Sequence, residues 1–359
     1  MESFVYTGLA SRVVFGTGTL ARLGEELERL GVKRALVLCT PGQRALTVRA
    51  APWMAGRGAG VFAGATMHTP VEVTLLALRE LAAAGADGLV AIGGGSTTGL
   101  GKALALRTDL PQLVVPTTYA GSEMTPILGE TKDGAKTTLR SEKVHPETVL
   151  YDVALTLSLP VGISGTSGIN AIAHAVEALY ARDRNPITSR MAEEAIRTLA
   201  AALPRIARAP LDAEARTSAL YGAWLSGTCL GSVGMALHHK LCHTLGGAFD
   251  LPHAETHTAV LPHATAYNAS AAPDAMRAIA GALGSDDAAT GLYELAGALG
   301  ARRALRDLGM PQSGIDRATE LALANPYDNP RPLERDAIRD LISRAWAGER
   351  PRAGRDLPG

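Results

Sequence analysis

The sequence has no excess charge of either sign. Lys and Arg together number 35, Asp and Glu 35, so the formal net charge is zero. That balance argues against nucleic acid or an anionic membrane as the main partner. Cysteine is scarce: Cys39, Cys229 and Cys242 form neither a disulfide framework nor a metal-ligand spacing. A reducing compartment, the cytoplasm, is the expectation. No uncharged apolar run approaches ~18 residues, so no transmembrane helix is expected. The opening MESFVYTGLASRVVFG has no basic stretch followed by a long apolar core, so no signal peptide is expected. The dinucleotide fingerprint G-x-G-x-x-G is also missing.

What is present is a chain of 359 residues, 47% hydrophobic and 19% charged, a length comfortable for two globular domains. The first half alternates short β-rich runs with amphipathic stretches. The runs are Arg12–Phe15, Ala35–Cys39, Gly60–Phe62, Gly88–Ile92, Gln112–Pro116 and Val149–Tyr151. Leu20–Leu30 and Val71–Ala84 are two of the stretches between them. This alternation predicts a parallel sheet with helices on both faces. Leu89–Ile92 is apolar throughout, as a strand covered on both sides should be. Asp133-Gly134 interrupts the pattern with a hairpin turn signal. After Pro160 helical patterns take over, at Gly165–Tyr180, Ala192–Ala207, Glu214–Leu230, Ala275–Leu283 and Leu333–Ala347. The expected division is an α/β domain over residues 1–158 and an all-α domain over residues 159–359, with a frayed tail at Pro351–Gly359.

Several segments carry chemistry. Gly93-Gly94-Gly95-Ser96 ends an apolar strand and opens a helical stretch, Thr97–Arg107. Glycines let a phosphate approach the backbone, and a helix N-terminus offers free N–H groups; the alternative is a tight structural turn. Thr117 and Thr118, in Pro116–Glu123, follow the next strand, where open parallel sheets bind ligands. The stretch Cys39–Arg44 has no carboxylate to repel a ribose 2′-phosphate and carries Arg44, which predicts tolerance of NADPH as well as NADH. In the second half, His239 and His243 stand four residues apart, and His253 follows after Gly246-Gly247, read as a turn. Asn170 and His174 repeat the i,i+4 spacing. Residues so spaced share a helix face and can point into one cavity. The pattern looks like a metal site, with an amide where a charged ligand would be expected. His145, His238, His257 and His263 read as structural hydrogen-bonding residues.

The glycine turn, Pro116–Glu123, the Asn170–His174 pair and the His239/His243/His253 set resemble the iron-containing alcohol dehydrogenase family in order and spacing, over nearly the whole chain. The resemblance implies a dehydroquinate synthase-like architecture: an α/β dinucleotide-binding domain, a helical domain and an active site in the cleft between them. Metal-dependent members use one Asp and three His, which correspond here to Asn170, His174, His239 and His253. His243 corresponds to a further active-site histidine. Gly93, Gly94, Gly95, Ser96, Thr117 and Thr118 correspond to cofactor contacts. Lys136 corresponds to a lysine near the nicotinamide, and His68 to a second cofactor loop. Two departures stand out: Asn170 replaces the acidic ligand, and Gly99 replaces an Asp three residues after the glycine turn. Both remove negative charge, which suits a strongly anionic substrate.

Within the family, GGGSTTGLGKA, PTTYAGSEMTP and SGINAIAHAVEALY are most similar to the branch that reduces the C=C bond of 2-maleylacetate to 3-oxoadipate in aromatic-compound degradation. That implies NADH or NADPH as cofactor, a small dicarboxylate as substrate, a homodimer and no metal. His243 is then the leading proton donor or oxyanion partner. His174, His239 and His253 would bind the carboxylates or ketone as imidazoles made cationic by the dianion, and Lys136 would assist. The rival readings are a metal-dependent alcohol or aldehyde oxidoreductase with Asn170 as a weak ligand, a dehydroquinate-synthase-like lyase, and a nucleotide-sensing protein without catalysis.

Overall fold

The structure, a computed structural model, describes residues 3–132, 135–324 and 327–352. It divides into two compact units: one of Gly8–Leu159, the other of Pro160–Gly359 together with Met1–Thr7.

In the first unit the strands are β1 (Arg12–Gly16), β2 (Ala35–Leu38), β3 (Gly58–Phe62), β4 (Gly88–Gly93), β5 (Gln112–Pro116), β6 (Ile127–Lys132), β7 (Ala135–Arg140) and β8 (Thr148–Asp152). The helices are α1 (Leu23–Arg29), α2 (Arg44–Ala50), α3 (Val71–Ala83), α4 (Gly95–Thr108) and the short α5 (Val153–Thr156). Six strands form one sheet in the order β1-β8-β5-β4-β2-β3, every pair parallel. Strand periodicity sends neighbouring residues to opposite faces. Val37, Val90 and Ile92 pack with Leu23 and Leu27 of α1 on one face, while Leu36, Leu38 and Leu89 pack with Leu81 of α3 and Leu104 of α4 on the other. The central strands β2, β4, β5 and β8 are therefore buried on both sides. The chain runs outward from β2 to β3 and then back across β2 to β4, so the order reverses between β2 and β4. Ligand crevices in open α/β sheets form at the carboxyl ends of strands beside such a reversal.

β6 and β7 make a separate antiparallel hairpin, which the turn signal anticipates. Asp133 and Gly134 themselves lie outside the described residues, as do residues 353–359 of the expected frayed tail.

The second unit is helical: α6 (Val161–Tyr180), α7 (Pro186–Arg208), α8 (Ala213–Ser232), α9 (Leu237–Phe249), α10 (His253–Asn268), α11 (Pro273–Leu283), α12 (Ala288–Ala298), α13 (Gly314–Leu323) and α14 (Arg335–Ala347). α7 starts with Pro186 at its first position and a reciprocal cap between Asn185 and Thr188. The buried Arg216 of α8 donates to Ser164 Oγ on α6 at 2.7 Å and to the Pro210 carbonyl at 3.0 Å, which ties α8 to the start of α6. α9 and α10 pack with α13 and α14 around Leu241, Leu245, Val260, Ile338 and Leu341. Gly246 and Gly247 do not form the expected turn. They sit inside α9, and the chain reverses at Asp250–Pro252, with Asp250 left-handed at φ 51°. The i→i−4 bonds of a well-packed helix outweigh the modest helix penalty of two glycines. No helix among the described residues is long and apolar enough to cross a membrane.

Candidate active site

The first unit supplies a cradle. β4 ends at Gly93 and α4 begins at Gly95, with no side chain capping its N-terminus. Thr97 and Thr98 N–H turn back to the Gly94 carbonyl at 3.1 Å, which leaves the N–H groups of Gly95 and Ser96 to face a ligand. The glycines are required by close approach: a Cβ at Gly93 would stand 2.6 Å from Gln43 Oε1, and one at Gly94 would stand 2.9 Å from Thr118 Cγ2. Gln43 follows β2 and donates from Nε2 to Thr117 Oγ1 after β5, at 2.8 Å. The turns after β2, β4 and β5 are thus joined at the point where strand order reverses. These features fit a dinucleotide diphosphate.

Beneath this cradle lies a buried lysine. Lys102 Nζ lies 2.5–2.9 Å from the carbonyls of Ser122, Thr125 and Ile127 and from Thr125 Oγ1, sharing its three N–H groups among these four oxygens. Burial pushes Lys102 down to about 7, against the opposing pull of Glu123. Glu123 is buried as well, accepts from Tyr151 Oη at 2.8 Å, and is raised by desolvation. His68 sits in the loop before α3 with φ 64°. Lys136 lies on β7 opposite Thr131, and its side chain is outside the described residues.

The second unit gathers six imidazoles. Asn170 and His174 share the buried face of α6. His238, His239 and His243 come from α9, and His253 and His257 from α10. Ring centroids run from His174 to His239 at 5.0 Å, His239 to His257 at 5.0 Å, His257 to His253 at 4.3 Å and His253 to His243 at 6.3 Å. His243 and His253 are exposed; the other four are buried.

Glu177, one turn beyond His174, organises the cluster. Its carboxylate accepts the N–H groups of Ala236 and His238 at 3.0 and 2.8 Å, so α6 caps the first turn of α9. It also accepts Nδ1–H of His239 at 2.6 Å. An ionised carboxylate only accepts, which places the proton of neutral His239 on Nδ1 and turns Nε2 toward the cluster. His239 Nε2, His174 Nδ1 and Asn170 Oδ1 are all buried without a protein partner. Three polar atoms left this way point to a polar ligand.

Sequence reasoning missed Glu177, Gln43, His238 and His257. The last two were read as structural, yet His257 is four residues after His253, and the rule that paired the other histidines applies to it equally. His238 Nε2 and His257 Nδ1 are 2.9 Å apart, and His257 Nε2 is buried without a partner. Glu177 continues the Asn170, His174 stripe at i+7. His145 and His263 stand apart from the cluster. His145 belongs to the other unit, and His263 faces Arg344 and Asp340.

Burial sets the starting state of the enclosed imidazoles. Burial, then the charges of His239, His253 and His243, pushes His174 well below the ordinary imidazole value. His238 and His257 move the same way for the same reasons. Without a ligand, burial favours the neutral form of these three side chains.

The donor set fits a divalent ion poorly. Residue 170 offers a neutral amide. Among the described residues, the one trio of His, Cys or acidic side chains whose donor atoms all lie within 4.8 Å of one another is His238, Cys242 and His257, not His174, His239 and His253. A tetrahedral ion with ~2.0–2.1 Å bonds to nitrogen needs closer donors than that.

Residues 10–153 match the iron-containing alcohol dehydrogenase family, and residues 164–346 match the C-terminal part of the Fe-containing alcohol dehydrogenase family. The chain belongs to the iron-containing alcohol dehydrogenase family. Within it, the chain is similar to maleylacetate reductases: 58% identical over 351 residues to that of Rhizobium sp. (strain MTP-10005), covering 98% of this chain and 100% of the relative. The Sphingobium indicum maleylacetate reductase is 57% identical, covering 97% of this chain and 99% of the relative. The crystal structure of maleylacetate reductase from Agrobacterium tumefaciens superposes with a TM-score of 0.94 at 57% identity, over 98% and 100% of the two chains.

Proposed function

We propose that this enzyme reduces the carbon–carbon double bond of 2-maleylacetate with NADH or NADPH, giving 3-oxoadipate in the degradation of aromatic compounds. The observation that carries this reading is the neutral polar cluster around Asn170. It offers several hydrogen-bonding positions, and its one carboxylate, Glu177, is taken up by His239 Nδ1 and the N–H groups that open α9, which suits a substrate with a carboxylate at each end. The similarity to maleylacetate reductases over nearly the full chain supports the same reaction.

When bound, the reduced nicotinamide supplies a hydride. The Gly93–Ser96 turn and the uncapped start of α4 hold the diphosphate, with Thr117 and Thr118 beside it. Lys136 and the His68 loop serve the same cofactor. Hydride addition to the alkene carbon distal to the ketone leaves negative charge on the ketone oxygen. Preorganised donors stabilise such an enolate in a site shielded from water. His239, whose Nδ1–H is held by Glu177, offers such a donor at Nε2 only when its ring carries a second proton, and His174 and His253 bind the remaining oxygens. A dianionic substrate favours the protonated imidazoles that burial disfavours, so substrate and proton enter together. His243, exposed and next to both His239 and His253, delivers the proton to carbon. No step passes through a metal.

The test is the oxidation of NADH or NADPH with maleylacetate, alongside simple alcohols and aldehydes. Stoichiometric consumption with maleylacetate alone supports the proposal. Turnover confined to alcohols or aldehydes overturns it.

A further inference from the structure

We propose that Thr69 is a positioning residue for the dinucleotide, and that it acts by lodging over residue 99, where only glycine leaves it room. The inference rests on the dinucleotide reading given above. The loop between β3 and α3 passes through two consecutive non-glycine residues in the left-handed region, His68 at φ 64° and Thr69 at φ 46°. A β-branched residue is a poor occupant of that region. Such strain persists only where the surroundings hold it, and it clusters at ligand clamps.

The surroundings here are specific. Thr69 is buried. Its carbonyl accepts from Thr131 N on β6 at 3.3 Å, and Pro70 bridges Thr131 in parallel. On its other side the hydroxyl lies over α4: a Cβ at Gly99 would stand 2.4 Å from Thr69 Oγ1, yet 3.7 Å from Thr69 Cβ. The Thr69 hydroxyl thus fills the place of a side chain on α4, one turn beyond the glycine cradle. The strained loop is fixed between that helix and the hairpin on which Lys136 pairs with Thr131. Three elements assigned to the cofactor are therefore locked together through residues 69, 99 and 131.

A methyl group at residue 99 cannot coexist with the hydroxyl where it stands, so Gly99→Ala must turn the Thr69 side chain or shift the loop that carries it. Alanine at residue 69 removes the hydroxyl and leaves an ordinary contact. The experiment measures NADH dissociation constants by fluorescence, and KM for NADH and kcat, for the wild type, G99A, T69A and the double variant. G99A is expected to weaken NADH binding about tenfold, with kcat at saturating NADH within about twofold of wild type, because it must first recover the strained loop. The T69A/G99A protein is expected to bind within about threefold of T69A alone, because the collision is gone. Unchanged NADH affinity in G99A overturns the proposal. Weakened binding that T69A does not relieve overturns it too, since the damage would then lie in α4. Should G99A fail to fold, as judged by circular dichroism, Thr69→Gly keeps residue 99 native and frees the loop. It is expected to weaken NADH severalfold, and unchanged affinity again overturns the proposal. If the wild type itself failed to bind NADH, the dinucleotide reading would fall, a result distinct from any of these.

Discussion

Glu177 Oε2 lies 2.6 Å from Nδ1 of His239, and the same carboxylate accepts two N–H groups that open α9. One buried side chain thus fixes both a helix and the tautomer of a histidine that helix carries. Glutamine at residue 177 keeps the size but gives up one acceptor oxygen. Glu177→Gln is expected to lower kcat about 10- to 100-fold, the usual scale for an orienting carboxylate behind a functional histidine. It is also expected to lower unfolding stability by about 1–3 kcal/mol through lost acceptors. Steady-state kinetics and urea melts check the two effects separately.

His243→Ala is expected to reduce turnover about 100-fold or more if His243 delivers the proton. A loss of only a few-fold in kcat would transfer that role to His239.

Metal removal should leave the rate unaltered. Activity measured after exhaustive dialysis against a chelator is expected to stay within about twofold of the untreated value, since electrostatic stabilisation comes from side chains. Stoichiometric zinc or iron, lost in parallel with the rate, would contradict this. Asn170→Asp restores an anionic oxygen and is expected to raise zinc affinity, readable by calorimetry.

Arg44 is exposed at the start of α2, one residue after Gln43 in the turn that follows β2. Arg44→Ala is expected to raise KM for NADPH about tenfold and to leave KM for NADH within about twofold, because only the former carries a 2′-phosphate. Equal effects on both cofactors would remove Arg44 from the nucleotide site.

His263 governs part of the acid stability. Burial, with Arg344 adding to it and Asp340 opposing, lowers it to about 4. An unfolded imidazole takes up its proton near 6.5, so between about 6.5 and 4 the unfolded chain binds more protons than the native one. Stability therefore falls as pH drops through that window, and His263 alone accounts for about 2 kcal/mol by pH 5. Thermal melts from pH 7 to 5 should show a shallower decline in His263→Gln than in wild type.

The parallel sheet was legible because strands buried on both faces read as unbroken apolar runs, and Leu89–Ile92 is one. The α6 and α9 histidine faces were legible through i,i+4 spacing alone. Glu177 was not, because nothing in the local sequence says that a carboxylate on one helix will meet the N-terminus of another. That meeting is a tertiary contact across 62 residues. The Gly246-Gly247 pair misled for the opposite reason: local propensity argued for a turn, and packing of α9 decided otherwise. Thr69 gave no signal, since its left-handed backbone and its fit over Gly99 exist only once α4 and β6 are in place.

Lys102 does for the segment Ser122–Ile127 what a small bound cation does for a binding loop: it draws several oxygens onto one point of positive charge. This cation is tethered to its own backbone. It cannot be stripped by competitors, exchanged for another ion or lost on dilution, and with Lys102 lowered to about 7 the one solute whose level can discharge it is the proton.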